Sequence, residues 1–165
     1  MVIMGVDPGS WKVGYGLIRV EGSRLQHLAH GVIKAGQAEV LLPQRLGKIY
    51  QGFLDLMGRY NPEAMAVEAL FHSRNSKSAL VLGHARGVII LAGVNAGLSV
   101  QEYTPLSVKQ ALTGYGSAHK EQVRFMVCAI LGLAKPPPMD ASDALAVAIC
   151  HAHCSFGQAH RTGGT

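Results

Sequence analysis

The first ten residues, Met1-Val2-Ile3-Met4-Gly5-Val6-Asp7-Pro8-Gly9-Ser10, constrain the chain more than any other stretch. An apolar run with one glycine inside it, closed by a Pro-Gly turn signal, predicts a short strand buried on both faces. Asp7 ends that strand. An ionised carboxylate there loses hydration, so either a cation with a hydrogen-bonding shell replaces what is lost, or the side chain closes an Asx turn on Pro8-Gly9. The stretch by itself leaves both readings open.

At 165 residues the chain is the size of one domain, and we expect a single domain over 1–154 followed by a polar, glycine-rich, loose tail over 155–165. Apolar residues make up 48% and charged residues 15%, which excludes a disordered polyelectrolyte. Three cysteines, Cys128, Cys150 and Cys154, do not make a secreted disulfide framework. No basic segment precedes the first strand, so no cleavable signal is expected, and the expected compartment is the cytoplasm. The longest apolar region, Ala79 to Val94, is interrupted by Gly83, His84, Arg86 and Gly87 and falls short of a membrane span. The net charge is +5, but it is unevenly spread. From Phe71 to Arg124, Arg74, Lys77, Arg86, Lys109, Lys120 and Arg124 face only Glu102 and Glu121, which suggests a surface that attracts polyanions.

Hydrophobic periodicity orders the elements. Val13–Val20 and Leu25–Lys34 read as strands joined at Glu21-Gly22-Ser23, making an antiparallel meander with the first. Leu41–Arg59 reads as an amphipathic helix and Ala64–Leu70 as a strand with one carboxylate, Glu68, near its end. Asn75–Asn95 reads as a long helix in which Ala79, Gly83 and Gly87 share a face, where the sheet or a second copy of the chain could approach. Then follow a strand over Leu98–Tyr103, a helix capped by Thr104 with Pro105 at its first position, a helix over Ala118–Leu131 capped by Ser117, and a last helix over Asp140–His153. Strands that alternate with helices require crossovers, so the sheet should be mixed and the class α/β.

Four of the ten acidic residues stand where a surface role explains them poorly. Asp7 and Glu68 end apolar strands, and parallel neighbours would bring their ends to about 5 Å. Asp140 and Asp143, spaced i, i+3, open the last helix beside the apolar run Ala144–Ile149, which must dock on the core. Capping and the helix dipole would account for that pair alone. Four converging carboxylates would take up protons unless divalent cations lay among them, and oxygen ligands suit Mg2+ or Mn2+.

Gly5-Val6-Asp7-Pro8-Gly9, Ala66-Val67-Glu68 with Phe71 and Asn75, Leu82-Gly83-His84-Ala85-Arg86-Gly87, Val108-Lys109-Gln110 and Asp140-Ala141-Ser142-Asp143-Ala144-Leu145-Ala146 together resemble the bacterial RuvC-type Holliday junction resolvases, in order, from residue 1 to about 153. The resemblance implies an RNase H-like fold, a five-stranded mixed sheet flanked by helices. It implies a homodimer that resolves four-way junction DNA by paired nicking in recombination and repair, with two Mg2+ ions per site, Mn2+ substituting, and a branch-migration motor as a possible partner. By the same resemblance Asp7, Glu68, Asp140 and Asp143 are the metal ligands, Lys109 and Lys120 hold phosphates near the cut, and Phe71 stacks on a base. Arg74, Asn75 and Lys77 are candidates for backbone contacts.

Other readings compete. An actin- or sugar-kinase-like ATP-binding protein needs a second domain that this length does not provide. A DNA-binding module without catalysis leaves the strand-end acids unexplained, and a related nuclease cutting RNA–DNA hybrids or RNA uses the same fold. A zinc site on Cys150-His151-His153-Cys154 would need ligands that point several ways from one helix; His151 and His153 read as helix-surface residues, and Cys128 and Cys150 as buried and inert.

Overall fold

A computed structural model of the chain describes residues 1–37, 39–69 and 76–162, with side chains through residue 155. Ten elements follow one another along the described residues: β1 (Val2–Asp7), β2 (Lys12–Glu21), β3 (Arg24–Lys34), α1 (Leu42–Tyr60), β4 (Ala64–Glu68), α2 (Ser76–Asn95), β5 (Ser99–Tyr103), α3 (Pro105–Thr113), α4 (Lys120–Leu131) and α5 (Met139–Thr162). The five strands form one sheet in the order β3-β2-β1-β4-β5. β1–β2 and β2–β3 pair antiparallel, while β1–β4 and β4–β5 pair parallel. The mixed sheet expected from the element order is therefore present, with β1 at its centre.

Side-chain alternation divides the core in two. On one face Met4, Val6, Val13, Leu17, Met65 and Val67 pack beneath α1 and α2, around Ile49, Phe53, Ala85 and Ile89. On the other, Ile3, Ile18, Ala64 and Ala66 pack beneath α3, α4 and α5, around Val108, Val123, Val127, Leu145 and Ile149. A strand of period two buried on both faces must be apolar throughout, as β1 is.

Several local expectations hold and several need correction. Thr104 caps α3, its Oγ1 accepting the Ser107 N–H at 3.1 Å, and Pro105 opens the helix. α4 starts at Lys120 with His119 as its cap, not Ser117, because Gln122 Oε1 reaches back to accept the His119 N–H at 2.8 Å. α5 continues to Thr162, past residue 155, where composition placed the beginning of a tail. His151 is buried rather than on the helix surface, and its Nδ1 lies 2.9 Å from the Tyr103 hydroxyl. Cys150 is buried as expected, whereas Cys128 is only half-buried and Cys154 is exposed.

α2 is long and apolar enough to cross a membrane by length and composition, with a mean hydropathy of 1.4. Its inner side, Ala85, Ile89, Ala92 and Gly93, packs on the sheet. A methyl group at Gly83 or Gly87 would meet nothing within 4 Å, so the glycines expected to face the sheet or a second copy do not face the sheet.

Candidate active site at the end of the central strands

The chemistry gathers where β1 and β4 end. The last ladder pair between them is Val6 with Val67, one residue before each acid, so Asp7 and Glu68 leave the sheet side by side. Both follow the alternation of Ile3-Gly5 and Ala64-Ala66, and so face the α5 side.

What brings α5 down onto this spot is an absence of side chains. A Cβ on Gly14 would lie 2.0 Å from the Asp140 carbonyl oxygen, and one on Gly5 would lie 2.0 Å from that of Ala144. Only glycine lets the helix backbone sit this close. Gly14 is the ladder partner of Asp7, so the turn of α5 that carries Asp140 rests beside the strand end that carries Asp7. The start of the helix is fixed from outside as well: the Arg124 guanidinium donates to the Pro137 carbonyl through Nε at 3.0 Å and Nη2 at 2.7 Å.

The electrostatics register the convergence. The Asp7 carboxyl is pushed up to about 8, first by burial, then by the charges of Glu68 and Asp143, a hydrogen bond with Glu68, and Asp140. Glu68 is raised too, by burial and then by Asp143. The hydrogen bond with Asp7 and the charges of Lys120 and Lys109 pull it partly back. Acids from β4 and α5 thus act on the one carboxyl that ends β1. Two of them are held by lysines: Lys120 Nζ lies 3.1 Å from Asp143 Oδ2, and Lys12 Nζ lies 2.8 Å from Asp140 Oδ2. Both ammonium groups are raised by these contacts.

Glu68, Lys109, Lys120 and Asp143 line a cleft of about 280 Å³ together with Ala69, Pro105, Val108, Val123 and Ala146. Lys77 stands exposed in the first turn of α2, outside that lining. Phe71, Arg74 and Asn75 lie outside the described residues. Lys12 was not singled out from the sequence. Its signal is its place: a cation five residues past Asp7, with the side-chain parity of Gly14, and so directed to the α5 side.

Among the described residues no three acidic, histidine or cysteine side chains form a finished cation cage as placed, the zinc candidates included. The donor set is nevertheless one that a hard divalent cation fits. It offers oxygens only, and burial together with the neighbouring carboxylates pushes the Asp7 carboxyl up to about 8, a proton affinity that a bound cation would offset.

The family model described as crossover junction endodeoxyribonuclease RuvC matches residues 3–151. The RuvC crossover junction endodeoxyribonuclease of Desulforamulus reducens is 49% identical over 156 residues, covering 94% of this chain and 95% of that protein. The one from Syntrophotalea carbinolica is 53% identical over 154 residues, covering 93% and 95%. Thermus thermophilus RuvC, solved in complex with a Holliday junction substrate, superposes with a TM-score of 0.91 at 39% identity, covering 96% of each chain. The sheet and its flanking helices are thus an RNase H-like fold.

Proposed function

Since this chain belongs to the RuvC family of crossover junction endodeoxyribonucleases, we propose that it resolves four-way DNA junctions by paired, symmetric nicking, with Asp7, Glu68, Asp140 and Asp143 as its metal-binding and catalytic carboxylates. The observation that carries this reading is the convergence on the Asp7 carboxyl at the end of β1, which burial and then acids from two other segments, Glu68 of β4 and Asp143 and Asp140 of α5, push up.

Nucleases of this family are metal-dependent, and Mg2+, with Mn2+ as a substitute, suits the all-oxygen donor set. Two such ions held by the four carboxylates would activate a water and neutralise the leaving oxygen of a phosphodiester. The chain's own residues do the rest. Lys109 and Lys120 border the cleft beside Glu68 and Asp143, where an ammonium group can hold a non-bridging phosphate oxygen and stabilise charge that grows on it in the transition state. Lys120 is held by Asp143 without DNA, which keeps it at the cleft until a phosphate competes for it. Phe71 is proposed as a stacking partner for an unpaired base on the resemblance, and Arg74, Asn75 and Lys77 as backbone contacts on their place just after it.

The proposed active form is a homodimer, because two cuts on a two-fold symmetric junction need two equivalent sites. The outer face of α2 supports this. Leu80, Leu91 and Val94 are 65, 52 and 57% exposed, and Gly83 and Gly87 lie between them on the same stripe. A branch-migration motor would deliver the junction, with the reaction taking place in the cytoplasm.

The test offers the purified chain a four-way DNA junction, the matching duplex and an RNA–DNA hybrid, each with Mg2+. We expect symmetric nicks in the junction alone, and an Asp7→Asn chain that binds the junction but does not cut it. Cutting confined to the hybrid would sink the junction assignment.

A further inference from the structure

The carboxylates and lysines occupy the α5 side of the β1–β2 connection, whereas the opposite side carries a pair of residues that the proposed chemistry does not use. Along this turn the side chains alternate. Lys12 faces α5 and reaches Asp140, while Trp11 faces α1 and meets Arg45. The Arg45 guanidinium carbon lies 3.6 Å from the centroid of the Trp11 ring, and Nη1 donates to the Ser10 carbonyl at 3.1 Å. Arg45 is only 6% exposed, yet its Nε is buried without a hydrogen-bond partner. Among the described residues no carboxylate pairs with it.

A buried guanidinium without an acid is costly to hold, and a cation–π stack and one carbonyl offset only part of that cost. Trp11, the sole tryptophan of the chain, remains 43% exposed although Arg45 covers one of its faces. A ring present only to fill space would be turned inward. This one is instead held outward at a fixed place, since Ser10 is tied to α1 by Arg45 and Lys12 is tied to α5 by Asp140.

We propose that Trp11, backed by Arg45, is a stacking platform for an unpaired nucleotide of the DNA strand that enters the carboxylate cleft. A single strand supplies what both residues lack: a base to cover the open indole face, and phosphate charge for the unneutralised guanidinium beneath it. The platform adds a contact on the α1 side of the loop whose other side carries the cutting residues. It rests on the nuclease reading, because the strand must be one that the cleft binds.

The test uses the intact chain with a chelator present, so that the DNA is not cut. Binding of a dye-labelled four-way junction is followed by anisotropy, while emission of the single indole and its quenching by acrylamide are read in parallel. We expect the indole to change emission and become shielded from acrylamide in step with the anisotropy. We expect Trp11→Ala to weaken junction binding about 10-fold and Trp11→Phe to restore most of that loss. Saturated binding with a silent, equally quenchable indole would overturn the platform, as would a Trp11→Ala chain that binds as tightly as the original. A chain that bound no junction at all would remove the nuclease reading and the platform together.

Discussion

α5 and α2 are both long, apolar and glycine-associated, and they use those properties in opposite ways. α5 has Ala141, Ala144, Leu145, Val147, Ala148 and Ile149 buried, and the glycines it depends on are in the sheet, at Gly5, Gly14 and Gly16. α2 carries its own glycines, Gly83 and Gly87, on an outer face where an added methyl group would meet nothing within 4 Å among the described residues. The first arrangement spends close packing inside the monomer to set two aspartates against a strand end. The second leaves an apolar stripe exposed, the surface proposed above to meet the second copy. Apolar composition and small residues therefore do not reveal which partner a helix has; the partner's residues do.

The sharpest way to break this contrast is to add the same methyl group on both sides of it. Gly14→Ala places a carbon 2.0 Å from the Asp140 carbonyl oxygen and must lift the start of α5. We expect it to cost roughly 2–4 kcal/mol, to lower Tm by about 5–15 °C and to reduce cleavage by on the order of 100-fold. Gly83→Ala, with open space around it, should leave the fold unchanged or stabilise it by up to about 1 kcal/mol. Equal losses at the two positions would erase the distinction.

Next in size is the assembly. Leu80→Glu combined with Leu91→Glu should leave a folded monomer, with Tm within about 3 °C of the parent, and halve the mass in sedimentation. A dimer that survives both charges would place the interface elsewhere.

A third effect belongs to the α5 side alone. Asp7 keeps its proton to about 8 in the folded chain against 3.8 in an unfolded one, so between those values the folded state binds more protons. The associated stability is complete below about pH 4 and is lost as pH rises toward 8. With chelator present, Tm should fall between pH 5 and pH 8 by roughly 4–8 °C, on the order of 2 kcal/mol after allowing for partial solvent exposure. Magnesium or Asp7→Asn should flatten the slope. The smallest effect is at Lys12: Lys12→Met frees Asp140 and should tighten divalent-cation binding about 2- to 5-fold, read by calorimetry.

Much of this was legible in the sequence because it is local. Strand-end acids, a Thr-Pro helix start and the spacing of Asp140 and Asp143 each announce themselves within a few residues. Side-chain parity then carries Asp7 and Glu68 to the same face once β1 and β4 pair. What remained hidden depends on contacts between distant segments. The parity of Lys12 gives the side it faces but not that it reaches Asp140, and Arg45 reads as a polar residue of an amphipathic helix until Trp11 is laid over it. Ser117 is a better cap than His119 by residue type, but Gln122 decides the matter by reaching back to His119. The burial of His151 follows from Tyr103 on β5, 48 residues away.

The central claim is that acids from β1, β4 and α5 form one divalent-cation site. Calorimetric titration of Mn2+ into the chain at pH 7, in two buffers of different ionisation heat, tests it directly. The account predicts binding accompanied by proton release, since Asp7 must give up its proton to the ion, and loss of that binding in Asp7→Asn and in Asp143→Asn separately. Mn2+ binding that releases no protons and survives both substitutions would contradict it.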